Sequence, residues 1–414
     1  MGILSKLEAR SWPVAHPRDP VIASWFGGGS NSAAGVSVTA ETAMRVTAVF
    51  RCVSILSQTY ASLPLGVYRE LPNGGKEPDK SHPLYKVLHD QPNSWQTSFE
   101  WREMMAAHFA LRGRCYSEII STGGSAVNSL VPLHPDRVRP FRAPDGKLAF
   151  EFTPLDGPRR IILQSEMHFM HLMSMDGVTP TSPIGLCREA VGLALATEEH
   201  GARLFSNGAR PGGILKMPGR VKDEEMLKRL KESWNEAQGG LRNAHKVALL
   251  EEGLEWQQVG MTSEDAQFLE TRKYQLAEIA RIFGVPPHKI ADLERSTNNN
   301  IEHQGIEFVT DTIRPGAVRW EQALKRDLFI GNWSRTHTPE FNLDGLMRGD
   351  SAARGQFYST MLQNGVYNRN EVRGLENRNP SDAPGMNDYT VQSNMAMIQL
   401  LEAMIKQQQG SNNA

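Results

Sequence analysis

The feature that most constrains the fold of this 414-residue sequence is a long helical segment that is apolar on nearly every side. The segment covers residues 182–208 and reads SPIGLCREAVGLALATEEHGARLFSNG. Ser182 is a typical N-cap residue, Pro183 suits the first turn, and Gly208 suits the end of the helix. Over residues 190–196, apolar side chains point in almost all directions around the helix axis. Such a helix must be buried on most sides, either in a core or between subunits.

A second long helix is predicted over residues 263–284, SEDAQFLETRKYQLAEIARIFG. Ser263 provides an N-cap, and Gly284 followed by two prolines ends the helix. The apolar residues recur at helical spacing and form one stripe, which consists of Leu269, Leu276, Ile279 and Phe283. A stripe of this kind packs against a neighbouring element, while the opposite face of the helix is mostly polar.

Residues 209–262 separate the two long helices and are interpreted as an inserted module of mixed structure. The stretch VKDEEMLKRLKESWNEAQGG predicts an amphipathic helix with an acidic first turn and a double-glycine end. Leu227, Leu230 and Trp234 form its apolar stripe. The stretch VALLEEGLEWQQVG then predicts a hairpin around its Glu-Glu-Gly turn.

The residues before the first long helix combine helices with short strands. The stretch SFEWREMMAAHFALRG predicts a helix that ends at Gly113. Its predicted apolar side consists of Phe99, Met104, Ala107, His108 and Leu111. Residues 115–173 then change to short β-type runs broken by Gly, Pro, Asn and Asp. This succession of helices and strands predicts the α+β class.

A proline interrupts the helical pattern that follows the second long helix. Residues 301–329 read IEHQGIEFVTDTIRPGAVRWEQALKRDLF, with Pro315 inside the pattern. Proline removes a backbone hydrogen bond and collides with the preceding turn, so we expect a kink or two separate helices. Further along, the stretches SAARGQFYSTMLQNG and NRNEVRGLE predict two short helices.

Charge and motif content exclude several classes of function. The chain has 45 basic and 46 acidic residues, a formal net charge of −1, which argues against a protein that grips nucleic acid by net charge. Neither a GxxxxGK[ST] nor a GxGxxG motif occurs, so we expect no ATP hydrolysis and no cofactor. A nucleophile elbow is also missing, and we assign no catalytic residue.

Metal sites, disulfides and membrane spans are not expected either. Cys52, Cys115 and Cys187 are far apart and form no CxxC pair, which fits a reducing cytoplasm. His168 and His171 lie three residues apart, so on a strand they point to opposite faces, and ordinary packing or hydrogen bonding is the better interpretation. There is no stretch of about 18 apolar residues, and the first residues lack an apolar core of signal-peptide length.

The connection after the second long helix, residues 286–300, is polar and reads PPHKIADLERSTNNN. Its candidate binding residues are Lys289, Arg295, Asn298, Asn299 and Asn300. An ordinary surface loop fits this composition, and so does a loop that faces a ligand or a polymer, because binding residues often lie on loops held by rigid elements.

Several long blocks of the sequence resemble the portal proteins of tailed double-stranded DNA bacteriophages. These blocks are SLPLGVYRE, HPLYKVLHDQPNSWQTSFEWREMMAAHFALRGRCY, SLVPLHPDRVRP, SPIGLCREAVGLALATEEHGARLFSNGARPGGIL and SEDAQFLETRKYQLAEIARIFGVPPHKIADLERSTNNNIEHQGIEFVTDTIRPGAVRWEQAL. They occur in the family's order from about residue 45 to residue 380. The resemblance is to portals of phages with the simplest head-assembly scheme, which are often found as prophage genes.

The resemblance implies the portal fold, an α+β architecture with an α/β wing, two long stem helices, a small α/β clip inserted between them, and a helical crown. The implied divisions are a flexible N-terminal arm (1–40), the wing (41–182), the first stem helix (183–208), the clip (209–262), the second stem helix (263–284), the tunnel loop (285–300), a kinked helix with a return to the wing (301–345), and the crown with the C-terminal tail (346–414).

The same resemblance implies a non-enzymatic function. The chain would be one subunit of a homo-oligomeric ring, usually a dodecamer, at one capsid vertex of the virion, and it would be made in the cytoplasm of the bacterial host. Its implied partners are double-stranded DNA in the channel, the terminase packaging motor, a neck or adaptor protein and the major capsid protein. No membrane is involved. DNA would be packaged and ejected through the channel.

The resemblance also assigns roles to individual residues. The five candidate residues of the 286–300 connection would face the DNA, and Trp234 would lie in the clip core or in a clip–clip contact. Packing of the stem helices would involve Leu193, Leu195, Leu269, Leu276, Ile279 and Phe283. Two other classes stay open: an enzyme acting on nucleic acid or cell wall, and a different head–tail connector ring or a head scaffold without direct DNA contact.

Overall fold

The computed structural model describes residues 31–72, 74–121, 127–206, 213–216, 225, 228–229, 232, 255–258, 264–291, 298–347, 351–376 and 378–390. The chain divides into two compact units, residues 1–343 and residues 344–414. Within the described residues, no helix has the length and apolar character needed to cross a membrane.

The first unit mixes helices and short strands. Its α-helices are α1 (Ala40–Ala43), α2 (Thr47–Ser62), α3 (Pro83–Tyr85), α4 (Ser98–Arg112), α5 (Pro183–Leu186), α6 (Arg188–Ser206), α7 (Glu264–Phe283), α8 (Asn298–Glu307), α9 (Arg314–Leu328) and α10 (Trp333–Thr336). Its strands are β1 (Leu65–Glu70), β2 (Lys76–Pro78), β3 (Arg114–Ser121), β4 (Val127–Leu133), β5 (Val138–Arg142), β6 (Leu148–Phe152), β7 (Arg160–Leu163), β8 (Met167–His171), β9 (Gly213–Lys216), β10 (Glu255–Gln258) and β11 (His337–Phe341). Two π-helical turns, Lys86–Asp90 and Phe308–Ile313, and a 3₁₀ turn at Pro287–Ile290 complete the elements used below.

The strands form small antiparallel sheets with the orders β11-β1-β2, β4-β3-β8, β5-β6-β7 and β10-β9. The first sheet closes a long stretch of chain, because β11 returns to pair with β1 in the register Leu65 opposite Phe341. Antiparallel sheets accompanied by separate helices are typical of the α+β class, so this prediction is confirmed.

Helix α4 lies at the centre of the main hydrophobic core. A capping box between Thr97 and Glu100 starts the helix, and Gly113 ends it in the left-handed conformation, as predicted. The predicted apolar side holds only in part: Leu111 is buried and Met104, Ala107 and His108 are half-buried, but Phe99 is 41% exposed, and the fully buried Trp101 and Met105 were missed. The reason is tertiary: Trp101 packs edge-on against Trp320 of α9, with ring centroids 5.7 Å apart, and this contact selects the buried face.

A second, smaller core lies between the strands of the β-rich region. Tyr116 of β3, Phe150 of β6 and Phe169 of β8 pack as a chain of rings, with centroids 5.7 Å and 5.0 Å apart. Aromatic pairs at these distances contribute about 0.5–1.5 kcal/mol beyond the burial of their surface. The sheet β5-β6-β7 is therefore attached to the sheet β4-β3-β8 through side chains rather than through a shared strand.

Both long helices form where the sequence predicts them. The Ser182 side chain accepts a hydrogen bond from the backbone N–H of Gly185, and Pro183 occupies the first turn of α5. At Cys187 the backbone is not helical, and α6 begins at the next residue. Helix α7 ends at Gly284, which has a φ of +63°. The inserted module contributes β9 and β10, which pair with each other. The first half of the hairpin predicted over residues 247–260 lies outside the described residues.

Around Pro315, where the sequence predicts a kink or two separate helices, the helix changes to a π-helical turn, Phe308–Ile313, between α8 and α9. The buried hydroxyl of Tyr60 donates to the carbonyl oxygens of Thr312 at 3.2 Å and of Ile313 at 3.1 Å. A side chain from α2 thereby binds two carbonyl groups where the π-helical turn meets α9.

The second unit contains α11 (Asp344–Met347), α12 (Ser351–Gln363) and α13 (Arg369–Leu375). Helices α12 and α13 correspond to the two predicted short helices. Asn368 and Glu371 form a capping box at the start of α13. Tyr358 of α12 donates to Glu376 at 2.8 Å, which links the two helices.

Candidate functional site

The candidate site is built on the two long helices α6 and α7, which pack against each other. Gln275 of α7 donates from Nε2 to the Thr197 hydroxyl of α6 at 3.0 Å, and both side chains are buried. A hydrogen bond between buried neutral groups contributes about 1 kcal/mol and determines how two helices align. This hydrogen bond therefore fixes how α6 and α7 align along their axes, which apolar packing alone would not do.

The residues predicted to pack the stem helices divide into two groups. Ile279 and Phe283 are buried, and Leu195 and Leu276 are half-buried against the main core. Leu193 points the other way and is 46% exposed. Leu269 lies in α7, but its side chain is not described.

A second large apolar residue is exposed just before the first long helix. Leu186, the last residue of α5, is 57% exposed and lies seven positions before Leu193 in the chain. A single copy of the chain leaves both leucines open to solvent, although residues 190–196 predict burial on most sides.

The end of α7 is tied to the kinked helix. The hydroxyl of Thr312, in the π-helical turn, donates to the carbonyl oxygen of Gly284 at 2.7 Å. A Cβ added at Gly316 would lie 1.8 Å from the Tyr60 hydroxyl, so this position accepts no side chain while Tyr60 holds the turn. The long helix, the kink and α2 therefore form one rigid junction.

The polar connection leaves this junction through the 3₁₀ turn. Lys289 is half-buried, with its Nζ 5.1 Å from the centre of the Phe308 ring. His288 Nδ1 lies 2.8 Å from Gln304 Oε1 of α8. These contacts fix the first half of the predicted tunnel loop against the kinked helix.

The remaining residues predicted for the connection are less fully described. Helix α8 begins with Asn298, Asn299 and Asn300, and the structure does not describe their side chains. Arg295 lies outside the described residues, as do Leu227, Leu230 and Trp234 of the inserted module. Their predicted roles therefore stay predictions.

His168, interpreted from sequence as a packing residue, belongs to a buried ionic network. Its Nδ1 lies 3.0 Å from Asp327 Oδ2, and the same oxygen accepts the backbone N–H of Phe169 at 3.1 Å. Arg326 Nε donates to the other oxygen of Asp327 at 2.6 Å. Burial alone raises the pKa of Asp327, but the hydrogen bonds from Arg326 and His168 outweigh it and hold the pKa below its ordinary value. The network joins β8 to α9 and was not foreseen, because its members are about 160 positions apart.

Among the described residues, one group of acidic and histidine side chains comes close enough together to hold a metal ion: Glu41, His134 and Asp136. Arg112 already pairs with this group, since its guanidinium contacts Glu41 and its Nε donates to Asp136 at 2.8 Å. The Arg112 guanidinium therefore already pairs with both carboxylates, and the group is an ion-pair network.

The fold described above has counterparts among solved structures. One chain from the neck of a native gene transfer agent particle, computed with C12 symmetry, superposes with a TM-score of 0.57 and 23% identity, covering 92% of this chain and 99% of that one. At this identity the likeness shows a common fold.

Sequence comparison then identifies the family. The phage portal protein family matches residues 47–377. A probable portal protein of Streptomyces phage phiC31 is 35% identical over 391 residues, 91% of this chain and 83% of that protein. The portal protein of Enterobacteria phage HK97 is 33% identical over 348 residues, 83% of this chain and 81% of that protein. The chain belongs to the phage portal protein family, which confirms the resemblance found in the sequence.

Proposed function

We propose that this chain is a subunit of a portal ring whose central channel carries phage DNA into the capsid and later out of it. The observation that carries the proposal is the long helix α6, which packs on α7 yet leaves Leu193 exposed in a single copy, as is Leu186 of the preceding helix α5. Exposed apolar stripes on soluble proteins mark interaction sites. In a ring, the neighbouring copy covers such a stripe, and the C12 symmetry of the similar neck structure supports twelve copies.

The proposed layout follows the order of elements along the chain. We assign residues 41–182 to the wing, α6 and α7 to the stem, residues 209–262 to the clip, residues 285–300 to the tunnel loop, residues 301–345 to the kinked helix and wing return, and residues 346–414 to the crown and tail. The rigid junction at Gly284 supports this layout, because it would hold the tunnel loop at a constant distance from the stem.

The proposed role is structural and not enzymatic. We place the ring at one vertex of the virion, in contact with the major capsid protein. The clip serves as the docking site for the terminase packaging motor and afterwards for a neck or adaptor protein, with Trp234 in its core. A nearly neutral chain suits a passage for DNA, because a strongly basic lumen would bind the phosphates and slow their movement.

The tunnel loop carries the first test of DNA contact. Replacing Lys289 and Arg295 by alanine should leave rings intact but lower the DNA packaged per head by at least about twofold, because two phosphate-binding cations are lost from each copy. The measurement is encapsidated DNA per particle after nuclease treatment. The matched control replaces the exposed Arg142 and Lys147 of the β5–β6 hairpin by alanine. Packaging equal to that control would contradict DNA contact at the tunnel loop.

Leu193 carries the test of ring packing. Because its side chain is 46% exposed in one copy, we expect Leu193→Asp to lower the stability of the monomer by about 1–2 kcal/mol, from lost burial and helix propensity, and to leave it folded. The same change should lower the fraction of chains in rings, since a carboxylate would be buried at the contact. Mass photometry gives the ring fraction. Leu155→Asp, at a position 80% exposed, is the control, and equal ring fractions for the two variants would contradict this role.

Electron microscopy of the negatively stained protein tests the proposed function as a whole. We expect rings with a central hole, either from the purified chain or when the capsid protein is present during assembly. Compact dimers without rings under both conditions would overturn the proposal.

A further inference from the structure

An open groove of about 560 Å³ lies beside the predicted tunnel loop, between helix α2, the start of α4 and the 3₁₀ turn Pro287–Ile290. Its walls are formed by Arg51, Ile55, Gln58, Thr59, Ser62, Phe99, His288 and Lys289. We call this surface the cationic groove, because its lining includes two permanent cations and no carboxylate.

The groove combines charge with an exposed apolar floor. Phe99, which the sequence placed on the apolar side of α4, is 41% exposed and lines the groove together with the half-buried Ile55. Arg51 is exposed, and no described carboxylate forms an ion pair with it or with Lys289. A partner that fits must present apolar side chains together with acidic ones.

The opposite chemistry occurs on the outward side of the kinked helix. Glu307 and Asp311 are exposed and four positions apart, Ile306 is 46% exposed, and Val318 is 40% exposed. No described lysine or arginine pairs with either acid. We call this surface the acidic ridge, and none of its residues lines the cationic groove.

The cationic groove and the acidic ridge face different directions. Gln304 Oε1 lies 2.8 Å from His288 Nδ1 and accepts its hydrogen bond, so this side of α8 faces the groove. Ile306 follows two residues later, which is about 200° around the helix axis. A surface and its complement on different sides of one molecule produce a head-to-tail contact, and such contacts close into rings when the rotation per copy is right.

We propose that the acidic ridge of one copy docks into the cationic groove of the next copy around the ring. This inference rests on the proposed ring, and it names a contact near the tunnel loop in addition to the stem helices. Ile306 meets Phe99 and Ile55, while Glu307 and Asp311 face Arg51. Lys289 is left to the DNA and is not required for this contact. Charge pairs at such a contact chiefly determine which register the partners adopt.

A charge exchange tests the contact. The groove variant carries Arg51→Glu and Gln58→Glu, and the ridge variant carries Glu307→Lys and Asp311→Lys. Lys289 is kept, so that the result is independent of the DNA test. Each variant alone places like charges opposite each other, and we expect its ring fraction to fall about tenfold or more.

The combination of the two variants gives the decisive result. When they are mixed in equal amounts, every junction in an alternating ring pairs opposite charges, so rings should return to near the original fraction. The chain with all four substitutions should also form rings. Mass photometry and electron microscopy measure both, and circular dichroism and thermal melting of each variant verify folding. Arg142→Glu with Lys147→Glu, on the β5–β6 hairpin, is the matched control and should assemble normally.

The possible failures are distinguishable. If the unaltered chain forms rings and both variants do so equally well, the contact is wrong while the proposed function stands. Folded variants that lose rings but are not restored by mixing or combination also overturn this pairing. If the groove variant forms normal rings but packages less DNA, the groove contacts DNA and not the neighbouring copy. If the unaltered chain forms no ring under any assembly condition, the proposed function itself fails.

Discussion

Gly113→Ala is expected to lower the free energy of unfolding by about 3 kcal/mol or more, although it adds a single methyl group. Gly113 ends α4 with a φ of +67°, a conformation that costs an alanine about 1–2 kcal/mol. In addition, the new Cβ would lie 1.9 Å from the backbone carbonyl oxygen of Thr181. This carbonyl cannot rotate away like a side chain, so the segment that begins the first long helix must move.

The matched control for this prediction is Gly146→Ala in the β5–β6 turn. Gly146 has a φ of +84°, but nothing lies within 4 Å of an added Cβ. The control therefore measures the backbone cost alone, about 1 kcal/mol. Denaturant unfolding at constant m-value compares the two variants. Equal losses of stability would show that the contact with Thr181 does not matter.

Asp327→Ala is expected to cost about 1–3 kcal/mol of stability, because it removes the buried acceptor of the Phe169 N–H and the partner of the His168 ring. The Asp327 side chain is 2% exposed, and the His168 side chain is fully buried. Without the carboxylate, the Phe169 N–H and the His168 ring lose their partner inside the protein, and Arg326 loses its counter-charge. The junction between β8 and α9 should loosen. Thermal melting at pH 7 measures the loss.

Two comparisons make this prediction specific. Asp156→Ala removes an exposed carboxylate and should change the stability by less than about 0.5 kcal/mol. The pH dependence supplies the second comparison. The folded-state pKa of Asp327 is depressed, so its contribution is complete above the unfolded pKa of about 3.9 and is lost as the pH falls through the folded pKa. The difference between the original chain and Asp327→Ala should therefore be constant from pH 5 to 7 and shrink below pH 4. A difference independent of pH would contradict an ionised Asp327.

Prediction from periodicity succeeded where a helix has one apolar face and one polar face. The stripe of α7 predicted the burial of Ile279 and Phe283, because a polar face opposes it and leaves one possible orientation. The same reasoning failed for α4, which is covered on more than one side. There Arg102 is buried at 7% exposure and donates from Nε to the Ser98 carbonyl at 3.2 Å. A buried arginine has no signature in an apolar pattern, so the pattern selected Phe99 instead.

In the candidate site, too, features that depend on nearby residues were predicted and contacts between distant residues were not. The sequence located the long helices, the kink at Pro315 and the polar connection, since each depends on neighbours within a few positions. It could not show that Tyr60 satisfies the carbonyl groups of Thr312 and Ile313, because these residues are 252 and 253 positions away. It also did not separate Leu193, which faces outward, from Leu195, which packs on the core.

By itself, the sequence determined the types of the main elements, the α+β class and the membership of the phage portal family. Helix caps, prolines and apolar periods act over a few residues, so they can be interpreted without knowing the rest of the chain. Only the tertiary structure decided which faces are buried, joined Asp327 to His168, and placed the cationic groove and the acidic ridge on different sides of the kinked helix. Those features arise where segments distant in sequence meet, and their energies come from the burial and pairing of groups that no local pattern connects.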